Sequence, residues 1–461
     1  MTAAQADEQV CFDFLPHTPV VVQRHHGQLT SDAGLLPVAQ FDARWRYTER
    51  MAACLGDDAR AGPTHAPLTM LRQRVYGIVA GYEDGNDHDA LRDEPVFRLV
   101  AGPAGGDPDA PLASQPTLSR FENAVPIPAL HRLLAFLLAT GIERLTDRHG
   151  GALPAAVTLD LDATDDPTHG HQQLSLFHGY YRQHQYLPLV ISEPTPRHVL
   201  VAWLRHGTAH AALGADDELR RVVGALRAAR PDVAVHVRGD GGFGCPQMYA
   251  ACEALGVTYT FGFATNPRLT ARAADLMARA VAQYEETGQP QRLFAAFPYR
   301  ADAWDRERTV VAKAECHAGG TNGRFVVTDL PTATDAEAAA AARYDDYVGR
   351  GGSEHRMDEL KNGLSAGRLS CHRFAANFFR LLLHAGSYNL LNALRDHADV
   401  PRELRAAQPQ TWRARAIKVA AEVVRTTRRV VIRLSAGWPG WDDYQAIARR
   451  ALAFRPRTPS S

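Results

Sequence analysis

The chain of 461 residues is long enough for two or three domains, and its 45% hydrophobic and 22% charged residues are typical of a globular protein. The formal net charge is zero, so overall charge gives no support to a nucleic-acid partner, and no apolar run approaches the ~20 residues of a membrane span. The six cysteines form no CxxC pair, which argues against a disulfide framework or a zinc knuckle. The acidic N-terminus lacks the features of a signal peptide, so we expect a cytoplasmic protein with no membrane association.

Residues 1–150 are predicted to be mostly helical. The segment "TSDAGLLPVAQFDARW" begins with the helix-capping residues Thr30 and Ser31. The segments "PLTMLRQRVYGIVAGY" and "IPALHRLLAFLLATGIERL" repeat apolar residues at helical spacing. Glycine and proline in 102–111 indicate a loop between helices.

The pattern changes in residues 151–265, which predict strands followed by alternating helices and strands. "AVTLDLDATDD" alternates apolar and polar residues as a half-buried strand does, and "QYLPLVIS" and "HVLVAWLRHG" are close enough to pair antiparallel. "DDELRRVVGALRAAR" predicts an amphipathic helix, "VAVHVRGDGGFG" a buried strand with a glycine-rich turn, and "PQMYAACEALG" and "VTYTFGFA" a helix and a strand. The predicted fold is α/β, a mixed sheet with helices on its faces.

The remaining chain predicts three further regions. Residues 266–334 contain three strand-like runs, which we interpret as a β-rich insertion, and residues 335–400 return to helices. Residues 401–461 hold thirteen Arg and Lys against four Asp and Glu, a basic C-terminal region suited to phosphate contact. The alternative interpretation is a solvated, arginine-rich helical face.

Two aspartates stand at predicted strand ends. Asp162 closes the strand at 157–162, and Asp240 follows the strand at 233–238. Residues just beyond strand ends gather at one edge of a sheet, where sites form. If the helix that carries Glu354 packs there, three carboxylates would converge, a donor set that suits Mg²⁺ or Mn²⁺ better than zinc.

The segment "YDDYVGRGGSEHRMDELKNGL" places Tyr347, Arg350, Glu354 and Lys361 at offsets of three, four and seven. On one α-helix these side chains would share a narrow stripe. Three glycines crowd the first half of the segment and disfavour a helix there, so the regular helix could begin only at Ser353. Close passage of a DNA backbone or a plain helix-entry loop would each account for those glycines.

This spacing, Y-x₂-R-x₃-E-x₆-K, resembles the YREK signature of the DDE transposases of bacterial insertion sequences. The phrases "LDLDATDDPTHG" and "VRGDGGF" are similar to their catalytic strands. "SQPTLSRFEN" and "ELKNGLSAGRLSCHRFAANFFRLLLHAGSYNL" resemble insertion-sequence family 1380. The resemblance covers roughly residues 25 to 435.

The resemblance implies a ribonuclease-H-like catalytic core and cut-and-paste transposition of double-stranded DNA. It implies that Asp162, Asp240 and Glu354 bind two Mg²⁺ or Mn²⁺ ions. Bringing two inverted-repeat ends together implies a homodimer in the DNA complex, associated with the bacterial nucleoid. The roles it implies for other residues are backbone contacts for Tyr347, Arg350 and Lys361, and stacking on a flipped base for Trp304.

Other readings of the residues stay open at this stage. Asp160 shares a strand face with Asp162, although the family pattern of Asp shortly before Thr fits Asp162. His169 and His171 beside the aspartates could bind zinc in a hydrolase. A transposase-derived protein that binds DNA without cutting it, and a structure-specific nuclease, are further alternatives.

Overall fold

The N-terminal region is helical apart from three short strands. The computed structural model describes residues 9–456 except 13, 15–17, 19, 24–26, 59–62, 104–106, 108, 195–196 and 331–335, so part of the loop predicted at 102–111 lies outside the described residues. The elements of this region are β1 (Gln9–Phe12), β2 (Val20–Gln23), β3 (Gln28–Thr30), α1 (Leu35–Trp45), α2 (Tyr47–Ala53), α3 (Pro67–Ala80), α4 (His88–Leu91), α5 (Pro95–Ala101), α6 (Gln115–Ala124) and α7 (Ile127–Arg148).

The central region alternates strands and helices, as the sequence predicts. Its elements are β4 (Ala156–Ala163), β5 (Asp166–Pro167), β6 (Leu176–His178), β7 (Gln183–Tyr186), β8 (Leu189–Glu193), β9 (His198–Trp203), α8 (Ala215–Ala229), β10 (Ala234–Gly239), α9 (Pro246–Leu255) and β11 (Thr258–Phe263).

The C-terminal half adds three long strands, several helices and a final hairpin. Its elements are α10 (Pro267–Arg272), α11 (Ala274–Thr287), β12 (Gln291–Tyr299), β13 (Arg308–His317), β14 (Gly320–Thr328), α12 (Ala336–Val348), α13 (Gly351–Asp358), a π-helix (Glu359–Gly363), α14 (Phe374–Arg395), α15 (Arg402–Ala406), α16 (Pro409–Trp412), a second π-helix (Arg413–Ile417), β15 (Ala421–Arg425), β16 (Val430–Leu434) and α17 (Trp441–Ala453).

One mixed sheet of eight strands organises the fold, in the order β12-β13-β14-β11-β10-β4-β8-β9. The strands β4, β10 and β11 run parallel, and β8 and β9 form the antiparallel pair expected from the sequence. The predicted mixed sheet is therefore confirmed. Strand β4 is buried on both faces at its centre, so the prediction of a half-buried strand is wrong: Asp160 is fully buried as well as Leu159 and Leu161.

The region 266–334 contains the three predicted strand runs, as β12, β13 and β14, together with two helices. It begins with the helices α10 and α11, and its strands continue the central sheet because β14 pairs antiparallel with β11 through Phe261 and Val327. The predicted boundary at residue 334 falls among residues 331–335, outside the described part of the chain. The sequence shows strand-forming runs here but carries no signal for which strand they pair with.

Both chain ends differ from expectation. Helix α1 begins at Leu35 after Gly34, and Thr30 belongs to β3, so the predicted cap is wrong. The described part of the basic region, residues 401–456, is integrated into the fold, because β15 pairs with β3 and Lys418 donates to Asp32 at 2.7 Å. No single helix among the described residues is long and apolar enough to cross a membrane; α6 and α7 reach that length and composition only as a pair bent by 91°.

The long helices α7 and α14 pack on the edge strand β9. A polar contact fixes α14: the Asn389 amide accepts from the Val199 backbone N–H at 2.9 Å and donates to the Val199 carbonyl at 2.8 Å. Both residues are buried, so the amide satisfies backbone groups that no neighbouring strand pairs at this irregular edge.

Replacing Asn389 by Ala should therefore lower the free energy of unfolding by about 2–3 kcal/mol, because it leaves a buried N–H and carbonyl without partners. Urea denaturation measures the change. The matched control is Asn362→Ala, which removes an exposed amide that bonds Asp358 and should cost less than about 0.5 kcal/mol. Equal losses in the two variants would contradict this role for Asn389.

Candidate active site

The strand register brings the two predicted aspartates together. Strands β4 and β10 are parallel neighbours in which Asp160 faces Arg238 and Leu161 faces Gly239, so the next pair is Asp162 beside Asp240. Neighbouring strands lie about 4.8 Å apart. A turn follows Asp240, whose carboxylate accepts the Gly242 N–H at 2.9 Å. The two aspartates therefore lie at the same edge of the sheet.

The segment that carries the other predicted residues is not a single helix. Tyr347 lies at the end of α12, Arg350 in the break before α13, Glu354 in α13 and Lys361 in the π-helix. The four side chains therefore do not share one α-helical stripe, and α13 begins at Gly351, close to the start at Ser353 that the glycines favour. The break at Gly349–Arg350 and the five-residue turn of the π-helix redirect the side chains on either side of Glu354.

Arg350 links the predicted carboxylates. Its guanidinium lies 3.2 Å from Glu354 and 3.8 Å from Asp162, although the Glu354 side chain is 70% exposed. Burial alone would lower the pKa of Arg350, but the charges of Asp162, Tyr347, Asp240 and Glu354 outweigh it and raise that pKa. The positive charge of Arg350 therefore interacts with all three carboxylates.

Lys361 is held by a different aspartate. Its ammonium donates to the Asp165 carbonyl at 2.6 Å and to the Asp165 carboxylate at 2.9 Å. Burial would raise the pKa of Asp165, but the Lys361 hydrogen bond and charge, with a hydrogen bond from Gln183, lower it. The side chain of Lys361 is 28% exposed, so its charge remains open to solvent beside the aspartates.

A buried cluster of charges beneath the carboxylates was not anticipated from the sequence. Asp160 accepts from Arg238 Nε at 2.7 Å and Nη2 at 3.1 Å, and also from Arg356. It is fully buried, and both arginines are at most 8% exposed. Each member lies two positions from a predicted site residue, namely Asp160 from Asp162, Arg238 from Asp240 and Arg356 from Glu354. The cluster thereby joins the three elements that carry the site.

Two glycines of the segment make room for this cluster. A Cβ at Gly349 would lie 2.6 Å from Arg238 Nη1, and one at Gly352 would lie 3.2 Å from Arg356 Nη1. Arg238 also donates to the Asp346 carbonyl at 3.0 Å. Glycine at these two positions therefore leaves room for two buried arginine side chains. This explanation differs from the two that the sequence suggested, a close DNA backbone and a helix-entry loop.

Tyr347 packs over the strand next to Asp240. A Cβ at Gly262 of β11 would lie 2.8 Å from the Tyr347 hydroxyl and 3.1 Å from the Asp240 carbonyl carbon. The guanidinium carbon of Arg350 lies 5.8 Å from the centre of the Tyr347 ring. Tyr347 thus orients Arg350 from one side while the carboxylates hold it from the other.

Asp166 is the most unusual group near the site. It is 3% exposed, and its carboxylate oxygens have no hydrogen-bond partner among the described residues. Burial raises its pKa to about 8, with the Lys361 charge opposing that rise. A Cβ at Gly367 would lie 3.1 Å from Asp166 Oδ1, so the carboxyl group sits against the backbone of the loop before α14. Near neutral pH this group is mostly protonated.

The structure does not support the sequence-based role of Trp304. The indole is 4% exposed and lies 5.3 Å from Tyr249 and 5.1 Å from Phe263, measured between ring centres. The guanidinium carbon of Arg308 lies 5.5 Å from the centre of the indole ring. A base could not reach the ring face unless this core opened, so we correct that prediction.

The three carboxylates fit a hard divalent cation by chemistry. Their oxygens are the ligands that Mg²⁺ and Mn²⁺ prefer, with Asp162 and Asp240 at the edge of the sheet and Glu354 on the helix α13. Within the described residues, however, no three His, Cys, Asp or Glu side chains lie close enough to hold one ion. His169 and His171 are both exposed and belong to no such group.

Comparison with known proteins identifies the family of this α/β chain. The family model of the transposase DDE domain, group 1, matches residues 12–454. The chain therefore belongs to the DDE transposase family. A search of curated proteins finds no match. Among solved structures, the chain is similar to the piggyBac transposase synaptic complex with hairpin DNA, with a TM-score of 0.42, 10% identity, and coverage of 79% of this chain and 75% of that one.

The Asp160 cluster predicts a stability effect without any substrate. Asp160→Asn leaves two buried guanidinium groups without their carboxylate and should lower the free energy of unfolding by about 3–5 kcal/mol. Chemical denaturation measures it. Asp217→Asn is the control, because Asp217 pairs with Arg220 on the surface with its side chain 82% exposed, and it should change stability by less than about 0.5 kcal/mol.

Asp166 predicts a pH effect of defined sign. Its pKa rises from 3.8 to about 8 on folding, so between these values the unfolded state binds fewer protons and stability falls as pH increases. Asp166→Asn removes this loss. The variant should gain stability relative to wild type on going from pH 5 to pH 8 in urea titrations. A difference between the two proteins that is the same at both pH values would contradict the raised pKa.

Proposed function

We propose that the protein is the transposase of a bacterial insertion sequence of the 1380 type. It would bind the terminal inverted repeats of its element, cut DNA there and join the freed 3′ ends to target DNA. The observation that carries this proposal is the shared neighbourhood of Asp162, Asp240 and Glu354 around Arg350, in a chain of the DDE family. The strands β9-β8-β4-β10-β11 would form its ribonuclease-H-like core.

Asp162, Asp240 and Glu354 would hold two Mg²⁺ or Mn²⁺ ions. When bound, such a pair activates a nucleophile and stabilises the leaving oxygen of a phosphodiester. The burial of Asp160 between two arginines favours Asp162 as the first carboxylate, because Asp160 is already fully committed. Arg350 and the ions would compete for the same oxygens, since Arg350 now lies 3.8 Å from Asp162 and 3.2 Å from Glu354.

The cations of the segment would then serve the DNA backbone. Arg350 released from the carboxylates would present its planar fork to a phosphate, with Tyr347 keeping its ring beside it. Lys361 would contribute a point charge from the other side of the cleft. Positive charge at these positions also offsets the repulsion between the carboxylates and the incoming phosphates.

Binding of whole transposon ends requires a larger surface. The helical N-terminal region and the basic C-terminal region are joined through β3 and β15, so they would act as one unit in end recognition and in a homodimer on DNA. Exposed arginines at the β15–β16 turn, Arg428 and Arg429, suit phosphate contact in that unit. We propose a bacterial cytoplasmic protein associated with the nucleoid.

The decisive experiment is cleavage of a labelled duplex that carries the terminal inverted repeat of the element. Wild-type protein should cut the end with Mg²⁺ and not with EDTA. Asp162→Asn, Asp240→Asn and Glu354→Gln should each lower the cleavage rate by at least about 100-fold while the end is still bound, because each removes a charged ligand of the ions. Asp217→Asn, an exposed aspartate outside the site, is the control and should cut as wild type does.

The other outcomes separate the alternatives. Tight binding without cutting by wild type would favour a transposase-derived DNA-binding protein. Cutting of branched DNA without preference for the repeat would favour a structure-specific nuclease. Tightly held zinc that is lost when His169 and His171 are both replaced would favour a hydrolase. Activity that survives Asp162→Asn alone would assign the first carboxylate to another aspartate of the cluster that also contains Asp160, Asp165 and Asp166.

A further inference from the structure

Five arginines line one pocket where four helices meet. The pocket has a volume of about 490 Å³ and is formed by the last turns of α7, the end of α14, and the helices α15 and α17. Its carboxylates are Asp147 and Asp396, so five positive charges against two negative ones leave an excess of three, with His397 neutral. We call this site the arginine pocket, and its arginines are Arg144, Arg148, Arg405, Arg450 and Arg455.

The arginine pocket lies away from the candidate active site. Strand β8 runs antiparallel to β4, so the turn that follows β8 lies toward the start of β4. Asn392 of α14 donates to the Arg197 carbonyl in that turn at 3.0 Å, and the pocket residue Asp396 follows one helical turn later. Asp162 lies near the other end of β4, a strand of eight residues. At about 3.3 Å per residue the two ends of that strand are about 23 Å apart.

Three of the arginines have a buried nitrogen without a hydrogen-bond partner. The Nε atoms of Arg144, Arg405 and Arg450 are buried and have no partner among the described residues. Arg144 is 4% exposed and Arg450 is 7% exposed, so both side chains are more than nine-tenths buried. A buried donor without an acceptor is costly, and it usually indicates a water or an ion at the site. Three such donors around one pocket indicate an acceptor that the chain itself does not supply.

The two aspartates of the pocket are each paired with one arginine. Asp396 pairs with Arg148, and Asp147 lies 3.5 Å from Arg144. The His397 ring nitrogen Nδ1 lies 3.2 Å from Asp399, a carboxylate next to the pocket. The positive charges that remain belong to Arg405, Arg450 and Arg455.

The charge of Arg450 is the least compensated. Burial and then the positive charge of Arg144 lower the pKa of Arg450 to about 10, although the charges of Asp399, Asp147 and Asp396 oppose this shift. An anion in the pocket would relieve the repulsion between the two arginines and replace part of the water that Arg450 has lost.

The Arg450 guanidinium is also held in a fixed orientation. Its carbon lies 5.0 Å from the centre of the Phe454 ring and 5.5 Å from the centre of the Phe41 ring. Both rings are buried, so the guanidinium is packed against two walls before any ligand arrives. A donor that is already oriented loses little conformational freedom when it binds.

We propose that the arginine pocket binds a small anion with two or three linked phosphate groups, either inorganic or the phosphate chain of a nucleotide. Guanidinium groups match phosphate oxygens with pairs of parallel hydrogen bonds, and linked phosphates would supply the acceptors that the three Nε atoms lack. The excess of three positive charges is of the size that a diphosphate or triphosphate neutralises.

A small anion fits this site better than the backbone of a DNA duplex. The volume of the pocket lies within the ~300–1,000 Å³ that is usual for small-molecule sites. Duplex phosphates contact side chains on the protein surface, whereas Arg144 and Arg450 are buried inside a concave site. The inference goes beyond the proposed function, because it requires neither DNA nor an ion at the carboxylates.

The test is isothermal titration calorimetry of the intact chain with sodium tripolyphosphate, in EDTA and at fixed ionic strength. EDTA removes divalent cations, so the phosphates cannot bind through an ion at the carboxylates. Wild type should bind one tripolyphosphate per chain. Arg450→Met and Arg405→Gln should each weaken this binding at least about tenfold, because each removes a charged donor. Arg405 is less buried than Arg450, so Arg405→Gln remains informative if circular dichroism shows that Arg450→Met does not fold.

Two controls and a second ligand make the titration specific. Arg268→Gln removes an arginine with a side chain 60% exposed that pairs with Asp302, and this variant should bind tripolyphosphate as wild type does. Sodium sulfate at the same ionic strength should bind wild type at least about tenfold more weakly, because it cannot reach all three arginines at once. ATP identifies the source of the phosphates: equal affinity supports a site for the phosphate chain alone, and tighter binding supports a nucleotide site.

Other results would overturn the proposal. One is the absence of saturable binding of both tripolyphosphate and ATP at millimolar concentration, and another is equal weakening by Arg268→Gln and the pocket variants. Pocket variants that bind both anions as wild type does, but bind an unrelated DNA duplex at least tenfold more weakly, would assign these arginines to the DNA backbone instead. Wild type that binds tripolyphosphate in this pocket but neither binds nor cuts the terminal repeat would overturn the proposed function and leave this inference in place.

Discussion

The arrangement of the site depends on one buried carboxylate, Asp160, and the two arginines that it holds. Asp160 belongs to β4, Arg238 to β10 and Arg356 to α13, so a single cluster joins two strands and a helix that are far apart in sequence. A buried charge that loses its partner is costly, and this cost penalises any shift of one element relative to the others. Since Asp162, Asp240 and Glu354 stand two positions away, their spacing is set by the same contacts.

Next to this buried cluster, the cations Arg350 and Lys361 interact with carboxylates that are in contact with solvent. Arg350 is shared among the three carboxylates, and Lys361 is paired with Asp165. Both cations are therefore held at the cleft without being locked into its core, because Glu354 and Asp165 remain in contact with solvent. In the proposed function, an incoming phosphate or metal ion would replace one partner of each pair.

The strands β12, β13 and β14 have a structural part in this arrangement. They extend the central sheet beyond β11, and Phe294 and Val311 form a small core with Tyr344 of α12. Tyr347 packs against that core and reaches Gly262 of β11. The added strands thereby support the end of α12 from which the chain turns into Arg350. The region predicted as a β-rich insertion thereby supports the segment that carries Arg350 and Glu354.

The sequence by itself determined the elements whose signals are local. Short apolar runs indicated β4, β8, β9 and β10, and the strand ends with the spaced Tyr, Arg, Glu and Lys indicated the candidate site residues. Pairing between distant residues was decided only in the tertiary structure. The sequence alone does not show that Trp304 is enclosed by three aromatic rings and Arg308 and so cannot stack on a base. Nor does it show that β14 pairs with β11. The need for glycine at positions 349 and 352 likewise becomes visible only in the structure, where the side chains of Arg238 and Arg356 leave little room for a Cβ. Local pattern encodes the period of a helix or strand, whereas burial and charge pairing depend on which surfaces meet after folding.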